Sequence, residues 1–306
     1  VTMECKEVGG MERSMGRRDF LKRSAAGLGT LLWARSSLSA PPSLSPVAPR
    51  TLGKTGITVS RLGFGTGTKG WDRSSNQTRL GQEAFTAMVR RAYERGVTFY
   101  DLADLYGSHP YLRRAFQGIP REKIVLQTKI WWRWGRNTRE ILDRFRQELD
   151  TDYLDIVLLH CVTEANWPES LKPMMEDLAE AKAKGILRAH GVSCHGLPPL
   201  QRVPDLDWVE VDLARINHRG AKMDAPPEEV VPLLRRMKEK GKGVIGMKIL
   251  GEGTLKGERL ASLKFVLGLD CVDAIVIGFE SPEEVDDILR HMDIALQELQ
   301  AEGKLA

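Results

Sequence analysis

The sequence predicts an α/β fold, a (β/α)8 TIM barrel with an N-terminal β-hairpin, and three observations point to it. Short apolar runs alternate with amphipathic stretches eight times between residues 60 and 298. Three successive runs finish on an ionisable side chain, at Asp101, Lys129 and His160. Ahead of the first run, Gly53-Lys54-Thr55-Gly56 lies between two short β-prone segments, which is a hairpin signal. Strands alternating with helices imply a parallel sheet with crossover helices. Eight such units in roughly 240 residues match a closed barrel.

The chain has 306 residues, 42% hydrophobic and 28% charged, enough for one large domain or two small ones. Residues 1–40 fall outside the alternation. Gly16-Arg17-Arg18-Asp19-Phe20-Leu21-Lys22 is followed by an apolar stretch from Ala25 to Trp33, broken by Gly27, Gly29 and Thr30, and then by Ser37-Leu38-Ser39-Ala40. The stretch is shorter than the ~20 apolar residues a membrane-spanning helix needs. This basic, apolar, small-residue order resembles a twin-arginine export signal. It implies export of the folded protein by the twin-arginine machinery to the periplasm or beyond, or a cytoplasmic protein with a basic tail if the signal does not function. Residues 41–49, with four prolines, read as a linker, and residues 50–306 as the barrel.

Strands are expected at 60–66, 97–102, 124–129, 153–160, 186–193, 208–216, 243–249 and 273–279. Helices are expected near 81–95, 111–118, 138–150, 168–184, 197–202, 227–240, 257–268 and 281–298. Asn137 or Thr138 is placed to cap the 138–150 helix, and Ser281-Pro282-Glu283-Glu284 is a helix start. The rival fold is an open doubly wound sheet, which announces its dinucleotide site with Gly-x-Gly-x-x-Gly. Gly63-Phe64-Gly65-Thr66-Gly67 lacks that spacing.

The formal charge of +4 is uneven, with seven basic against four acidic residues in 1–40. The near-neutral remainder gives no reason to expect a nucleic-acid partner. Four cysteines at 5, 161, 194 and 271 form no Cys-x-x-Cys pair, so no metal site is expected. Cys161 and Cys194, beside strand ends, read as small packing residues.

In a parallel barrel the strand ends converge, so Asp101, Lys129 and His160 should share one mouth, with Tyr106 reaching in from its loop. A set of Asp, Tyr, Lys and His in this order resembles that of the aldo-keto reductases, which implies carbonyl reduction; that takes a hydride, which no side chain supplies, and a proton from a donor within hydrogen-bond reach. Tyr106 is the candidate donor. A lysine ammonium beside it favours the phenolate and should lower its pKa from ~10. Asp101 would keep Lys129 charged, and His160 would orient the carbonyl oxygen.

The motif Asp101-x-Ala103-x-x-Tyr106-Gly107, with Lys129 and His160 on the next two strands, resembles the aldo-keto reductases. The likeness extends from Arg50 to Arg290 and includes Thr51-Leu52-Gly53-Lys54-Thr55-Gly56, Gly63-Phe64-Gly65-Thr66-Gly67 and Gly191-Val192-Ser193. It implies an NADP- or NAD-dependent oxidoreductase that reduces aldehydes or ketones to alcohols, with Tyr106 as general acid. The hairpin should close the bottom of the barrel. The implied cofactor contacts are Gly65, Thr66, Ser193, Asn217, Met247, Lys248, Gly278, Ser281, Glu284 and Asp287. Ser193 would bind the nicotinamide carboxamide, and Asn217 or Arg215 would replace the family's glutamine. Met247 stands where the ring-stacking aromatic is usual. The start of the last helix is a phosphate seat, but Glu280, Glu283 and Glu284 there oppose a ribose 2′-phosphate. These departures leave room for a second reading, a nucleotide-binding barrel that acts as a sensor or subunit. Trp131, Trp132 and Trp134 follow Lys129, either as rim packing or as an aromatic wall for the substrate.

Overall fold

The computed structural model describes residues 44–305 apart from Arg136. The expected export signal lies outside the described residues.

A hairpin comes first, β1 (Pro49–Thr51) against β2 (Thr58–Ser60). Next come β3 (Leu62–Gly65), the short α1 (Asn76–Arg79), α2 (Gln82–Glu94), β4 (Phe99–Asp101), α3 (His109–Ala115), β5 (Val125–Ile130) and α4 (Thr138–Leu149). The middle of the chain gives β6 (Leu154–Val162), α5 (Trp167–Ser170), α6 (Lys172–Ala183), β7 (Leu187–Cys194), α7 (Leu197–Arg202) and β8 (Val211–Arg215). It ends with α8 (Pro227–Glu239), β9 (Gly243–Met247), α9 (Arg259–Leu267), β10 (Ala274–Gly278) and α10 (Pro282–Ala301). The eight strands β3 to β10 pair in parallel in chain order, and β10 closes on β3 with Gly278 opposite Gly65.

Alternation along each strand sorts its side chains to two faces. Phe99, Val125, Ile156, Leu158, Val211, Leu213 and Ile245 fill the barrel interior, and Leu52, Ile57 and Val59 of the hairpin pack into the same cluster. The hairpin is therefore a plug for the bottom of the barrel, as expected. Each of its three buried side chains is worth roughly 1.5–3 kcal/mol of burial. The opposite faces of the strands pack with the helices in a larger cluster that includes Phe64, Tyr100, Phe145, Trp167 and Phe279.

Three of the departures from the sequence reading have a clear local reason. The expected 168–184 helix is two pieces, broken at Leu171, because Pro173 near the start of α6 has no N–H to continue the ladder. Residues 44–48, expected as linker, bond to the barrel: Arg61 N–H donates to Ala48 O at 3.0 Å and Leu62 N–H to Pro46 O at 3.1 Å. The prolines there mark irregular backbone, not detachment. Strand β6 runs past His160 to Val162 and carries a bulge, four residues from Leu159 to Val162 facing three from Val192 to Cys194. The extra residue is Cys161, with a left-handed φ of 56°.

Asn137 caps α4, accepting from Arg139 N–H at 2.9 Å and Glu140 N–H at 3.3 Å, and Ser281 caps α10, accepting from Glu284 N–H at 3.3 Å. Among the described residues no helix is long and apolar enough to cross a membrane, and no His/Cys/Asp/Glu group could hold a metal.

Candidate active site

The C-terminal strand ends meet at one mouth, and Asp101, Lys129, His160 and Tyr106 lie there together. Lys129, 1% exposed, donates to Asp101 Oδ1 at 2.5 Å and to Leu102 O at 2.8 Å. Gln127 Nε2 donates to the same carboxylate oxygen at 2.7 Å. Tyr106 ends a 3-10 turn, Asp104–Tyr106, that follows β4. Its hydroxyl is 3.4 Å from His160 Nε2, and Lys129 Nζ is 4.9 Å from its ring centre. The bulge at Cys161 lies directly after His160, where it turns the strand end that aims the imidazole.

The electrostatics depart from the sequence expectation. The Tyr106 pKa is raised well above 10, not lowered: burial disfavours the phenolate, and the Asp101 and Cys161 side chains add to it. Burial also lowers the Lys129 pKa, and its ammonium is paired with Asp101. His160 is pushed well below 6.5 by burial and by the nearby Lys129, His195 and Lys248. At neutral pH the mouth therefore offers a protonated phenol and a neutral imidazole.

Aromatic side chains rim the site. Trp131 meets His160 edge-on at 5.8 Å and Trp71 at 5.6 Å, while Trp132 Nε1 donates to His160 O at 3.1 Å. Trp71 is 63% exposed. Trp132 thus packs on the His160 backbone, and Trp131 with Trp71 faces the mouth; the Trp134 side chain lies outside the described residues.

A cleft of about 690 Å³ runs from Tyr106 and Asp101 to the start of α10, within the size range of small-molecule sites. Six of the expected cofactor contacts line it: Gly65, Met247, Lys248, Gly278, Glu284 and Asp287. Ser193 is buried near the end of β7, and its hydroxyl has no partner among the described residues. An orphaned buried hydroxyl suits a ligand amide.

The other three expected contacts are committed elsewhere. Thr66 donates to Asp101 O at 2.9 Å and pairs with Ser108 at 2.8 Å. Asn217 is fully used in its own loop, donating to Ala221 O at 2.7 Å and Lys248 O at 3.0 Å and accepting from Arg219 and Ala221 N–H. Ser281 is the α10 cap. Arg215, the alternative to Asn217, ion-pairs with the buried Asp224.

The acidic end of the cleft is already partnered. Glu284 Oε2 accepts from Glu280 N–H at 2.8 Å, so a carboxylate sits at the helix N-terminus. Asp287 pairs with Arg259 at 2.5 Å and with Arg290, and Asn76 Nδ2 donates to Glu280 at 2.5 Å. Lys248 ion-pairs with Glu252. Sequence reading missed Gly67 and Gly70, whose faces lie against the Tyr106 ring so that a Cβ at either would overlap it. A Gly-x-x-Gly loop after the first strand was visible, but nothing in it names the ring it touches.

The model of the aldo/keto reductase family matches residues 61–265. L-galactose dehydrogenase of Arabidopsis thaliana is 28% identical over 229 residues, which is 69% of this chain and 68% of that protein. Methylglyoxal reductase DkgB of Salmonella typhi is 30% identical over 133 residues, 40% of this chain and 48% of that protein. The chain thus spans about half to two-thirds of the length of such curated relatives. The holo form of aldo-keto reductase AKR11C1 from Bacillus halodurans superposes with a TM-score of 0.63 at 20% identity, covering 82% of this chain and 95% of that one. That likeness concerns the fold. A matched family model over two-thirds of the sequence, a closed parallel barrel and a tyrosine, lysine, aspartate and histidine gathered at its mouth agree, and the chain belongs to the aldo/keto reductase family.

Proposed function

We propose that the protein is an NAD(P)H-dependent reductase of aldehydes or ketones, with Tyr106 as the proton donor. The observation that carries this reading is the shared mouth: a protonated Tyr106, the Lys129–Asp101 pair and a neutral His160 stand at one end of a cleft of about 690 Å³ that reaches the start of α10. A bound nicotinamide would supply the hydride.

The residues of the chain handle the oxygen and its proton. The substrate oxygen sits between Tyr106 and His160 and takes the phenol's proton as its carbon gains the hydride. Tyr106 is left as a phenolate, which the neighbouring Lys129 ammonium stabilises until solvent returns the proton. Asp101 and Leu102 O hold that ammonium in place. Neutral His160 orients the carbonyl without competing for the proton. Ser193, Met247 and Lys248 would hold the nicotinamide half, the thioether of Met247 lying against the ring. The N-terminus of α10 would hold the far end, where Glu284 opposes a 2′-phosphate, so NADH is the preferred cofactor. Export by the twin-arginine route belongs to the same proposal. It is tested by fusing residues 1–45 to a reporter that works only outside the cytoplasm, and a silent reporter rejects it.

Steady-state rates with NADH and NADPH over a panel of aldehydes and ketones test the activity. Cofactor consumption with at least one carbonyl, faster with NADH, supports it. An absence of nucleotide binding by titration rejects it.

A further inference from the structure

Tyr106 stands on a short 3-10 turn, and such turns hold poorly without help. Help comes from a cluster of charged side chains behind it. The Asp104 carboxylate, 0% exposed, accepts from Arg73 at 2.9 Å and from both Arg144 amino groups at 3.0 and 2.7 Å. Glu148 Oε1 accepts from Arg73 at 2.8 Å and from Arg144 at 3.1 Å. Its Oε2 lies 2.8 Å from His109 Nδ1, and His109 Nε2 lies 2.8 Å from the Thr128 hydroxyl, one residue before Lys129. Two guanidiniums face two carboxylates. Asp104 is buried while the Arg73 and Arg144 side chains are 38% and 25% exposed, so these pairs contribute little net stability and act on geometry.

Arg73 is the member with a second attachment. It belongs to the loop between β3 and α1, with a left-handed φ of 57°. Its carbonyl presses on Gly107, where a Cβ would overlap it. Earlier in the same loop, Gly67 and Gly70 lie against the Tyr106 ring.

We propose that Arg73 is a positioning residue for Tyr106: its guanidinium fastens the glycine-faced loop to Asp104, presses the phenol toward Lys129 and His160, and keeps water from it. The catalytic part of this rests on Tyr106 as proton donor; the placement of the ring does not. The groups facing the phenol are Asp101 of β4, Lys129 of β5, and His160 and Cys161 of β6, with Lys248 and His195 acting through His160. The loop contributes glycine backbone to the contact. Loosening it admits water and leaves those charges in place, so the burial that raises the Tyr106 pKa weakens.

Two readouts test this. Ultraviolet difference titration of Arg73→Ala against Arg73→Ala/Tyr106→Phe, beside wild type against Tyr106→Phe, isolates the Tyr106 ionisation. Rates with NADH over the same pH range give kcat and KM. Arg73→Ala should lower the Tyr106 ionisation by about one unit or more. It should cut kcat on the order of 100-fold, the scale of a 1 Å misplacement, with the cofactor KM nearly unchanged. Arg73→Lys should restore part of both. Gly70→Ala leaves the ion cluster intact and displaces the ring, so it should give the same signature, and it decides the matter if Arg73→Ala does not fold. A folded variant with the Tyr106 ionisation unmoved overturns the proposal, whether kcat holds or falls. If no carbonyl is turned over by wild type, the proton-donor reading fails, while the titration still decides the role of Arg73.

Discussion

Replacing Asp101 by Asn removes the carboxylate bonded to a lysine that is 1% exposed. Breaking a buried pair costs about 3–5 kcal/mol, because the remaining charge is uncompensated. Lys129 has an escape, which is to give up its proton. Its unfolded pKa is ~10.4, so neutralising it at pH 7 costs roughly 4.6 kcal/mol, and about 1.4 kcal/mol less for each pH unit above that. The destabilisation at pH 7 is therefore expected near 3–5 kcal/mol. Burial already lowers the Lys129 pKa, and Asp101 is the group that raises it. Without Asp101 the folded pKa falls further below the unfolded one. Between those two values the unfolded chain binds more protons, so the variant's stability rises with pH. The gap from wild type should shrink from pH 7 to pH 9 in urea unfolding curves. The neutral lysine cannot stabilise a phenolate, so kcat should fall by about 10²–10⁴-fold at pH 7. A gap below about 1 kcal/mol, or one that does not change with pH, would refute the claim that Asp101 keeps Lys129 charged.

Other outcomes follow from the same geometry. Glu284→Gln removes the carboxylate that occupies the α10 N-terminus; kcat/KM with NADPH should rise at least several-fold relative to NADH, and an unchanged ratio removes Glu284 from cofactor choice. Hydrogen bonds from His109 and Arg73 outweigh burial and hold the Glu148 pKa down to about 2. Its stabilisation is present above pH ~4.5 and is lost as pH falls through about 2. Glu148→Gln should therefore be less stable than wild type at pH 6, with the difference closing toward pH 2. Ser193→Ala should weaken nicotinamide nucleotide binding by about 0.5–1.5 kcal/mol in a fluorescence titration without lowering the melting temperature, since its hydroxyl bonds nothing among the described residues.

Much of the fold was legible because a barrel repeats one pattern. Apolar strands buried on both faces, such as Ile124–Lys129 and Leu154–His160, stand out against amphipathic helices, and the hairpin announced itself through Gly53 and Gly56. Asp101, Lys129 and His160 were readable because each ends such a run. What was not readable depended on contacts between distant residues. Nothing around Thr66 or Asn217 shows that their polar atoms are spent on Asp101 O and Lys248 O. The left-handed Cys161 looks like any strand residue until its register against β7 is known. The sign of the Tyr106 shift was missed because a sequence shows the lysine beside the phenol but not how far the fold desolvates both. Arg73, Asp104, Arg144 and Glu148 meet only once three chain segments are folded together.

The central claim is that the Tyr106 hydroxyl delivers the proton at a mouth shared with a bound nicotinamide. Single-turnover oxidation of bound NADH by an accepted aldehyde, in wild type and Tyr106→Phe with nucleotide affinity measured on the same samples, tests it most directly. The account predicts equal NADH affinity in both proteins and a rate lower by about 10²–10⁴-fold in the variant. A Tyr106→Phe protein that binds NADH and turns over as fast as wild type would contradict it.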